Sequence, residues 1–246
     1  MSGHSKWSTI KHKKGAKDAK RGKLFAKLAR AIEVAARDGG GDPGFNPTLA
    51  TAIEKAKAAS MPADNIERAI KRGTGEVEGA TYEEIWYEGY AAGGVALYVL
   101  VLTDNRNRAA SDVRSTFTRN GGSLGEPGSV AYLFEQKGFI LVDGPEDDVM
   151  LTALDAGAED VRESGELWEV VTAPGELKDV RGALEEAGLR IESADVTQLP
   201  ATSVPLETDK AKQVLRLVDL LEELDDVQEV YANFDIGDDV MAALAG

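Results

Sequence analysis

The sequence predicts an α+β protein of three domains, in which a small helical N-terminal domain precedes two α+β domains and one of these is inserted in the other. Three observations lead to this class. Up to residue 75, apolar residues recur at steps of three and four, as in short amphipathic helices. From Glu84 onward, strand-like runs alternate with helical ones. The last helix–strand pair has no partner next to it in the chain, so we expect it to complete the sheet that opens the second domain.

The N-terminal region divides into an arm and a helical domain. Residues 1–21 are dominated by Ser, Gly and Lys and predict a flexible basic arm, whereas residues 22–75 predict three short helices. We expect the first helix to begin at Gly22 and to end at the glycines of positions 39–41.

Two further helices are predicted after these glycines. The second should start at Asn46, because Pro47 suits the first helical position. The third should use Asp64 as its N-cap, with Glu67 in the position of a capping box, and should end at Gly73.

The second domain is predicted to consist of residues 80–136 together with residues 202–240. Its first helix should direct Ala110, Val113 and Phe117 inward. The expected elements are strands 84–90 and 95–103 around a glycine turn, helix 106–119, strand 129–134, helix 210–224 and strand 227–234. The second of these strands is apolar on both faces and should lie at the centre of the sheet.

Residues 137–201 are predicted to form the inserted domain. Strands and helices follow each other there in the order β-α-β-β-α-β, which is the ferredoxin-like arrangement. The expected elements are strand 139–142, helix 146–155, strands 160–163 and 167–172, helix 176–187 and strand 190–197.

Composition excludes several classes of function. The 246 residues include no cysteine, which excludes disulfides, thiolate metal ligands and cysteine nucleophiles. The basic N-terminus lacks the apolar stretch of a secretion signal. A transit peptide is the alternative interpretation of this segment. The longest apolar run, Val95–Leu102, is too short to span a bilayer. We therefore expect a cytoplasmic protein with no membrane partner, and a monomer, because no strong self-association seam is visible.

Charge is divided unevenly along the chain. Residues 1–75 hold 16 of the 28 Lys and Arg residues and 7 of the 43 acidic residues, a local net charge of +9. The remaining residues hold 12 bases and 36 acids, a net charge of −24. One end of the chain should therefore attract a polyanion that the other end repels.

The basic residues at the N-terminus form an arm and a helical stripe. At about 100° per residue, the cations of the first helix lie opposite Phe25, Leu28 and Ile32. Lysine suits phosphate oxygens without reading bases, and Trp7 would stack on a base or ribose. The alternatives are a solubility tail, a membrane-surface helix and, for Trp7, a simple anchor of the arm. The predicted nucleic-acid contacts are Lys6, Trp7, Lys11, His12, Lys13, Lys14, Lys17, Lys20, Arg21, Lys23, Lys27 and Arg30.

A second group of cations lies in the acidic part of the chain. Arg108 and Arg119 fall within about 20° of each other on the helical wheel, about 16 Å apart along the axis. With Asn105 and Arg106 in the turn that opens this helix, they predict a second, separate nucleic-acid contact. The alternative is ion pairing with nearby acids such as Asp112.

The sequence contains little that predicts catalysis. His4 and His12, the only histidines, both lie in the arm, where no cysteine and few carboxylates are near them. Residues 121–128 are rich in glycine but lack the Gly-Lys-Ser/Thr ending of a phosphate loop, so turn geometry is the better interpretation. We predict no enzyme, no catalytic residue, no metal and no cofactor.

Several motifs of the chain resemble those of the YebC family. They run through the whole chain in order: MSGHSKWSTIKHKKGAKDAKRGK at 1–23, YEGY at 87–90, GGVAL at 93–97, LTDNRNR at 102–108, NGGSLG at 120–125, and GSV at 128–130 followed by Phe134. One departure is Ala91-Ala92, where the family more often has a glycine–proline turn.

The resemblance implies a helical N-terminal domain and two ferredoxin-like α+β domains, one inserted in the other. It also implies a non-enzymatic, nucleic-acid-binding regulator of gene expression. Family members are labelled as DNA-binding transcriptional regulators, and members also resemble translation factors that act on ribosomes where synthesis stalls. We expect a translation factor with ribosomal RNA, the ribosome or ribosomal proteins as partners, and keep DNA binding as the alternative. A third hypothesis is that the acidic inserted domain binds a basic protein.

Overall fold

Three helices pack around a small apolar core in the N-terminal domain. The protein is described by a computed structural model, which covers residues 18–245 and gives side chains in the first helix from Arg21 onward. Ile32, Leu49 and Ala56 are fully buried in this core. The helices are α1 (Asp18–Gly39), α2 (Pro47–Ala58) and α3 (Ala63–Gly73).

Two expectations for this domain are wrong. α1 begins at Asp18 and not at Gly22, because one glycine inside a helix costs only about 1 kcal/mol, so the last four residues of the predicted arm are helical. α3 is not capped by Asp64, which lies inside its first turn after Pro62. Glu67 pairs with Lys71 one turn later instead of closing a capping box.

Strands and helices alternate through the rest of the described chain. In chain order they are β1 (Glu83–Tyr90), β2 (Ala96–Thr103), α4 (Arg106–Arg119), β3 (Ser123–Leu124), β4 (Phe134–Asp143), α5 (Glu146–Asp155), β5 (Asp160–Ser164), β6 (Leu167–Thr172), α6 (Leu177–Glu186), β7 (Arg190–Pro200), β8 (Val204–Pro205), α7 (Thr208–Glu222), β9 (Val227–Ala232), β10 (Phe234–Asp235) and α8 (Asp238–Ala245).

The first sheet is antiparallel and has the strand order β3-β1-β2-β9. The last helix–strand pair therefore completes this sheet, and β2 is central, as the sequence predicted. Helices α4 and α7 cover one face, where Val99 and Leu217 are fully buried. α4 buries Ala109 and not Ala110, because Ala109, Val113 and Phe117 are spaced by four residues and follow one ridge of the helix.

The second sheet belongs to the inserted domain and has the strand order β5-β6-β4-β7. This is the predicted ferredoxin-like arrangement, with Ile140, Val170 and Leu184 buried at its core. The predicted strand at 129–134 is wrong, because Ala131–Leu133 form a 3₁₀ turn and β4 begins only at Phe134.

Several short elements lie outside the predicted ones, among them β3 in the glycine-rich loop. β8 and β10 pair in parallel, and α8 follows them at the end of the described chain. Between residues 18 and 245, no helix has both the length and the apolar character needed to cross a membrane.

Candidate nucleic-acid interface

A polar groove lies where the N-terminal domain meets the second domain, and we call it the junction groove. It is lined by residues of α1, of α4 and of the segment from the end of α7 to the start of β9. Two adjoining cavities of about 610 and 370 Å³ form it, and both are lined by Lys23 and Glu223. Arg30 and Arg108 line the larger cavity and Arg119 lines the smaller one. The two cationic groups that the sequence suggested as separate surfaces therefore meet in one groove.

Cations of α1 contact the C-terminal end of α7. The Lys27 Nζ donates to the carbonyl of Glu222 at 2.6 Å, and the Lys23 Nζ donates to the carbonyl of Glu223 at 3.2 Å. The last carbonyls of a helix lack partners within the helix and carry partial negative charge, so these lysines stabilise that end. Lys23 also lies 3.4 Å from the carboxylate of Asp225 and keeps 57% of its side chain exposed.

Asp226 joins the two domains. Its carboxylate lies 3.1 Å from Arg30 of α1 and 2.9 Å from Arg108 of α4. It also accepts a hydrogen bond of 2.9 Å from the Thr103 hydroxyl. Only 10% of the Asp226 side chain is exposed, so the charge depends on these partners instead of on water. The Arg30 guanidinium lies 5.3 Å from the centre of the Tyr82 ring, which holds the interdomain linker against α1.

Arg108 is held between two carboxylates. Its Nη2 lies 2.7 Å from Asp104 and 2.9 Å from Asp226. The hydrogen bond to Asp226, followed by the one to Asp104, raises the pKa of the Arg108 guanidinium. The same contact with Arg108 lowers the pKa of Asp104. The ion-pairing alternative is thus observed for Arg108, with Asp104 and Asp226 as its partners.

Two exposed cations line the junction groove, and we call them the rim cations: Lys23 and Arg119. Arg21 is also exposed but lines neither cavity. The Arg21 guanidinium lies over the ring of Phe25, 5.4 Å from its centre. Arg119 is exposed and has no ion pair with any residue in the described range 18–245. Arg119 is therefore open to a partner, and Lys23 is exposed but contacts Glu223 and Asp225. Arg30 and Arg108 hold Asp226.

The turn that opens α4 has a structural task. The Asn105 Oδ1 accepts the backbone N–H of Arg108 at 3.0 Å, so Asn105 is the N-cap of α4. Arg106 is exposed and lines neither cavity of the groove. It lies with Arg114 near Tyr87, where burial raises the pKa of the tyrosine and the two guanidiniums partly oppose that rise.

The other predicted contact residues lie outside the described part of the chain. For Lys20 the structure gives the helical backbone of α1 alone. Asp18, where α1 begins, is about 8 Å from Lys23 along the helix axis, so the N-terminal segment joins the protein next to the groove. The undescribed residues are Lys6, Trp7, Lys11, His12, Lys13, Lys14 and Lys17.

Glu88 anchors the end of the glycine-rich loop. Its carboxylate accepts the backbone N–H groups of Gly128 and Val130 at 2.6 Å and that of Ala131 at 2.8 Å. Burial raises the pKa of Glu88, but the three donors together lower it further, so the pKa lies below its ordinary value. These bonds use N–H groups that a strand at 129–134 would need, which explains the 3₁₀ turn there. Turn geometry is thus the observed role of this end of the loop.

The N-terminal domain also contacts the inserted domain. The Lys55 Nζ of α2 lies 3.2 Å from Asp195 of β7, and Glu54 lies 4.0 Å from Arg181 of α6. Burial lowers the pKa of Lys55, but Asp195 and Glu229 raise it more, so the ammonium group is favoured there. In the described range, no group of three or more His, Asp or Glu side chains is arranged to hold a metal ion.

Sequence reasoning missed the acidic side of the groove. The sequence does contain a pattern that indicates it. The last turn of α7 has no basic residue and several acids lie at this helix end, whereas the helix dipole favours basic residues there. Such an end calls for cations from elsewhere in the fold. The acids are Asp219, Glu222, Glu223, Asp225 and Asp226.

Two family models match the chain and together cover most of it. Residues 5–76 match the TACO1/YebC protein N-terminal domain, and residues 82–234 match the TACO1/YebC second and third domain. The boundary between the two matches falls in the linker that Arg37 holds through the carbonyls of Ala80 and Tyr82.

Several known proteins match this chain over nearly its whole length. A "Probable transcriptional regulatory protein" of Rubrobacter xylanophilus is 63% identical over the full length of both chains. Another of that name, from Acidothermus cellulolyticus, is 62% identical over 98% of this chain and 99% of the relative. A conserved hypothetical protein from Aquifex aeolicus, known from a crystal structure, is 52% identical in sequence to this chain. The two structures superpose with a TM-score of 0.80, over 90% of this chain and 93% of the Aquifex aeolicus chain.

Proposed function

The chain belongs to the TACO1/YebC family, and on that premise we propose that it is a nucleic-acid-binding regulator of gene expression that acts on ribosomal RNA. In this role it is a cytoplasmic, monomeric translation factor that relieves stalled synthesis and does not act as an enzyme. Its partners are ribosomal RNA and the ribosome.

One observation carries the proposal: the rim cations meet at a groove beside the point where the basic N-terminal segment joins α1. That segment contributes five more lysines between residues 6 and 17. The rest of the chain, with 36 acids against 12 bases, repels phosphates. A polyanion is therefore expected to approach at this end alone, which fixes the orientation of the protein on a large target.

The position of the helices favours RNA over sequence-specific reading of duplex DNA. A recognition helix needs a free face to enter the major groove. One face of α1 is buried against α2 and α3, and its Lys27 and Arg30 point at the segment after α7. α4 is buried on one face, and its groove-lining Arg108 is already paired with Asp226. Backbone contacts to folded RNA need no such free helix face.

The decisive experiment is cross-linking in cells with sequencing of the bound DNA and RNA, alongside ribosome co-sedimentation. We expect cross-links to ribosomal RNA and co-sedimentation with ribosomes. Discrete promoter sites without ribosomal RNA would contradict the proposal and support a second candidate, a DNA-binding transcriptional regulator. That candidate is favoured by the names of the relatives from Rubrobacter xylanophilus and Acidothermus cellulolyticus.

A simpler experiment tests the N-terminal segment by charge reversal. Replacing Lys11, Lys13 and Lys14 with Glu should lower affinity for purified ribosomes at least about tenfold, because phosphate contacts dominate such binding. The matched control reverses three exposed lysines of the acidic domains, which should leave affinity within about twofold. These control positions are Lys178, Lys210 and Lys212. Equal losses in both variants would show that net charge alone, and no particular surface, governs binding.

A further inference from the structure

We propose that Asp226 is a positioning residue, which fixes the N-terminal domain on the second domain so that Lys23 of α1 and Arg119 of α4 form one binding surface. This inference rests on the proposed function and goes beyond it by assigning the geometry of the surface to a buried carboxylate that contacts no nucleic acid.

The interface between the N-terminal domain and the second domain is polar. Among the described residues, each buried hydrophobic cluster lies wholly within one side of this interface: the cluster around Ile32 contains only residues of α1 to α3, and the one around Phe117 contains none of them. The contacts that cross are ion pairs, hydrogen bonds and one cation–π contact. Polar interfaces between domains permit relative motion, so the orientation depends on a few charged contacts.

The end of α7 needs the cations that α1 provides. Five acids crowd this helix end and its last turn has no base, so the end is unfavourable by itself. Lys23 and Lys27 donate to its terminal carbonyls. Near the protein surface, each such contact adds only a small stabilisation. Alone, these contacts are too weak and too flexible to set one orientation.

Asp226 differs from the other acids at this end because it is enclosed and contacted from both sides. The guanidinium of Arg30 approaches one carboxylate oxygen and that of Arg108 approaches the other. Thr103 adds a third fixed contact, and the backbone carbonyl of Asp226 accepts the N–H of Leu102 at 2.9 Å. The neighbouring Asp225, by contrast, leaves 71% of its side chain exposed, and its carboxylate pairs with Lys23 while its backbone carbonyl accepts from Arg30. Planar guanidiniums on a mostly buried carboxylate define direction as well as distance.

The consequence concerns Arg119 and Lys23. Lys23, on the same helix as Arg30, lines one cavity with Arg119. When α1 is held by Asp226, Lys23 and Arg119 face the same partner. When α1 is released, each of these two cations can bind only by itself.

Because the chain contains no cysteine, spin labels attach only to cysteines that are introduced, and the distance between two labels can be measured. Lys57→Cys on α2 and Lys212→Cys on α7 place spin labels at two exposed positions in the two domains. Double electron–electron resonance should give one narrow distance distribution in the otherwise unchanged protein. Asp226→Asn should broaden it, and the matched neighbour substitution Asp225→Asn should leave it narrow. An unchanged distribution in Asp226→Asn overturns the proposal.

A binding measurement tests the second half of the inference. Arg119→Glu should weaken binding to purified ribosomes about tenfold in the native background and less than twofold in the Asp226→Asn background. An equal loss in both backgrounds overturns the proposal. Polyuridine or ribosomes can also be added to the labelled protein that retains Asp226. If the distance distribution then becomes broader, the proposal is overturned, because the partner would be releasing the contact between α1 and Asp226.

A second variant keeps the proposal testable if Asp226→Asn does not fold. Arg30→Gln removes the ion pair of α1 with Asp226, together with the Arg30 contacts to the Asp225 carbonyl and the Tyr82 ring, and leaves the pair of Asp226 with Arg108. It should therefore broaden the distances while near-ultraviolet circular dichroism stays native. The distance measurement on the free protein needs no nucleic acid. It therefore separates failure of the positioning role from failure of ribosome binding, which would contradict the proposed function instead.

Discussion

At the scale of single residues, Ser60 holds a backbone conformation that usually belongs to glycine. Its φ of 60° is in the left-handed region, and no other residue except glycine has a positive φ between positions 18 and 245. The Ser60 N–H donates to the carbonyl of Lys57 and the Met61 N–H to that of Ala56, which is a Schellman motif at the end of α2. Gly188 has the same position after α6, with a φ of 79°.

Ser60→Gly is therefore expected to raise the free energy of unfolding by about 0.5 kcal/mol, because relief of left-handed strain outweighs the added freedom of the unfolded chain. Gly188→Ser is the matched control and should lower it by about 1 kcal/mol. No atom lies within 4 Å of a Cβ built at position 188, so strain alone acts there. Urea unfolding of both variants gives the two values, and a shift of the same sign in both would contradict this account.

Glu88 is a second residue whose contacts lead to a prediction, which concerns how the free energy of unfolding depends on pH. Glu88→Gln should lower the free energy of unfolding at pH 7 by about 1–3 kcal/mol, because a carboxamide cannot accept all three backbone N–H groups. The pKa of Glu88 is lower in the folded than in the unfolded chain, so its stabilising effect is present above the ordinary pKa of 4.5 and is lost as the pH falls through the folded value.

The difference in unfolding free energy between the native protein and Glu88→Gln should consequently shrink below about pH 4.5. Urea titrations at pH 7 and at successively lower pH measure it. A difference that stays constant through this range would show that the carboxylate charge contributes nothing to holding the loop.

At the scale of elements, α4 carries arginines with different tasks. Arg108 is used in the ion pairs with Asp104 and Asp226, whereas Arg119 is left for a partner. Arg106 and Arg114 lie near Tyr87, outside the lining of the junction groove. One helix thus contributes to domain docking at one end and to the proposed binding surface at the other.

Charge reversal at two positions of α4 should separate these tasks. Arg119→Glu is expected to lower affinity for ribosomes about tenfold without a change in the urea midpoint, whereas Arg114→Glu, on the same helix and equally exposed, should change affinity less than twofold. Arg108→Glu should instead lower stability, because it places a third carboxylate beside Asp104 and Asp226. Equal affinity losses for Arg119→Glu and Arg114→Glu would remove the groove from the proposed surface.

At the scale of the whole molecule, charge separation governs how the protein meets a polyanion. A cationic end and a strongly acidic remainder, with net charges of +9 and −24, favour one orientation of approach. The N-terminal domain contacts both other domains through ion pairs, at Asp226 and at Asp195. These polar interfaces thus hold the basic N-terminal domain against the two acidic domains.

This separation predicts a steep dependence of binding on salt. With six to eight phosphate contacts, the logarithm of affinity for polyuridine should fall with the logarithm of salt concentration at a slope of about −4 to −6. Replacing Lys11, Lys13 and Lys14 with Gln should reduce this slope by about 2, because three contacts that release counterions are removed. Fluorescence titrations over a range of salt measure both slopes, and equal slopes would place the contacts elsewhere.

Much of the fold was predictable because it depends on local patterns. The helix α4 with Val113 and Phe117 inward, the doubly apolar β2 and the β-α-β-β-α-β order each follow from residues that are close in sequence. One error arose where a distant residue decided the outcome. The Glu88 carboxylate accepts the N–H groups of Gly128, Val130 and Ala131, and a 3₁₀ turn forms where a strand was predicted. The start of α1 was missed because Gly22 was given more weight as a helix boundary than its cost justifies.

The sequence by itself determined the three-domain α+β class, the order of the elements and the division of charge, since composition and short-range periodicity carry all three. Only the tertiary structure decided which of the predicted cations are open and which are engaged. Arg30 and Arg108 lie far apart in the chain and meet at Asp226, which is 118 residues beyond Arg108. No local pattern encodes such a meeting, because it depends on how separately folded domains pack, and an unpaired carboxylate at that depth would be too costly to leave without both partners.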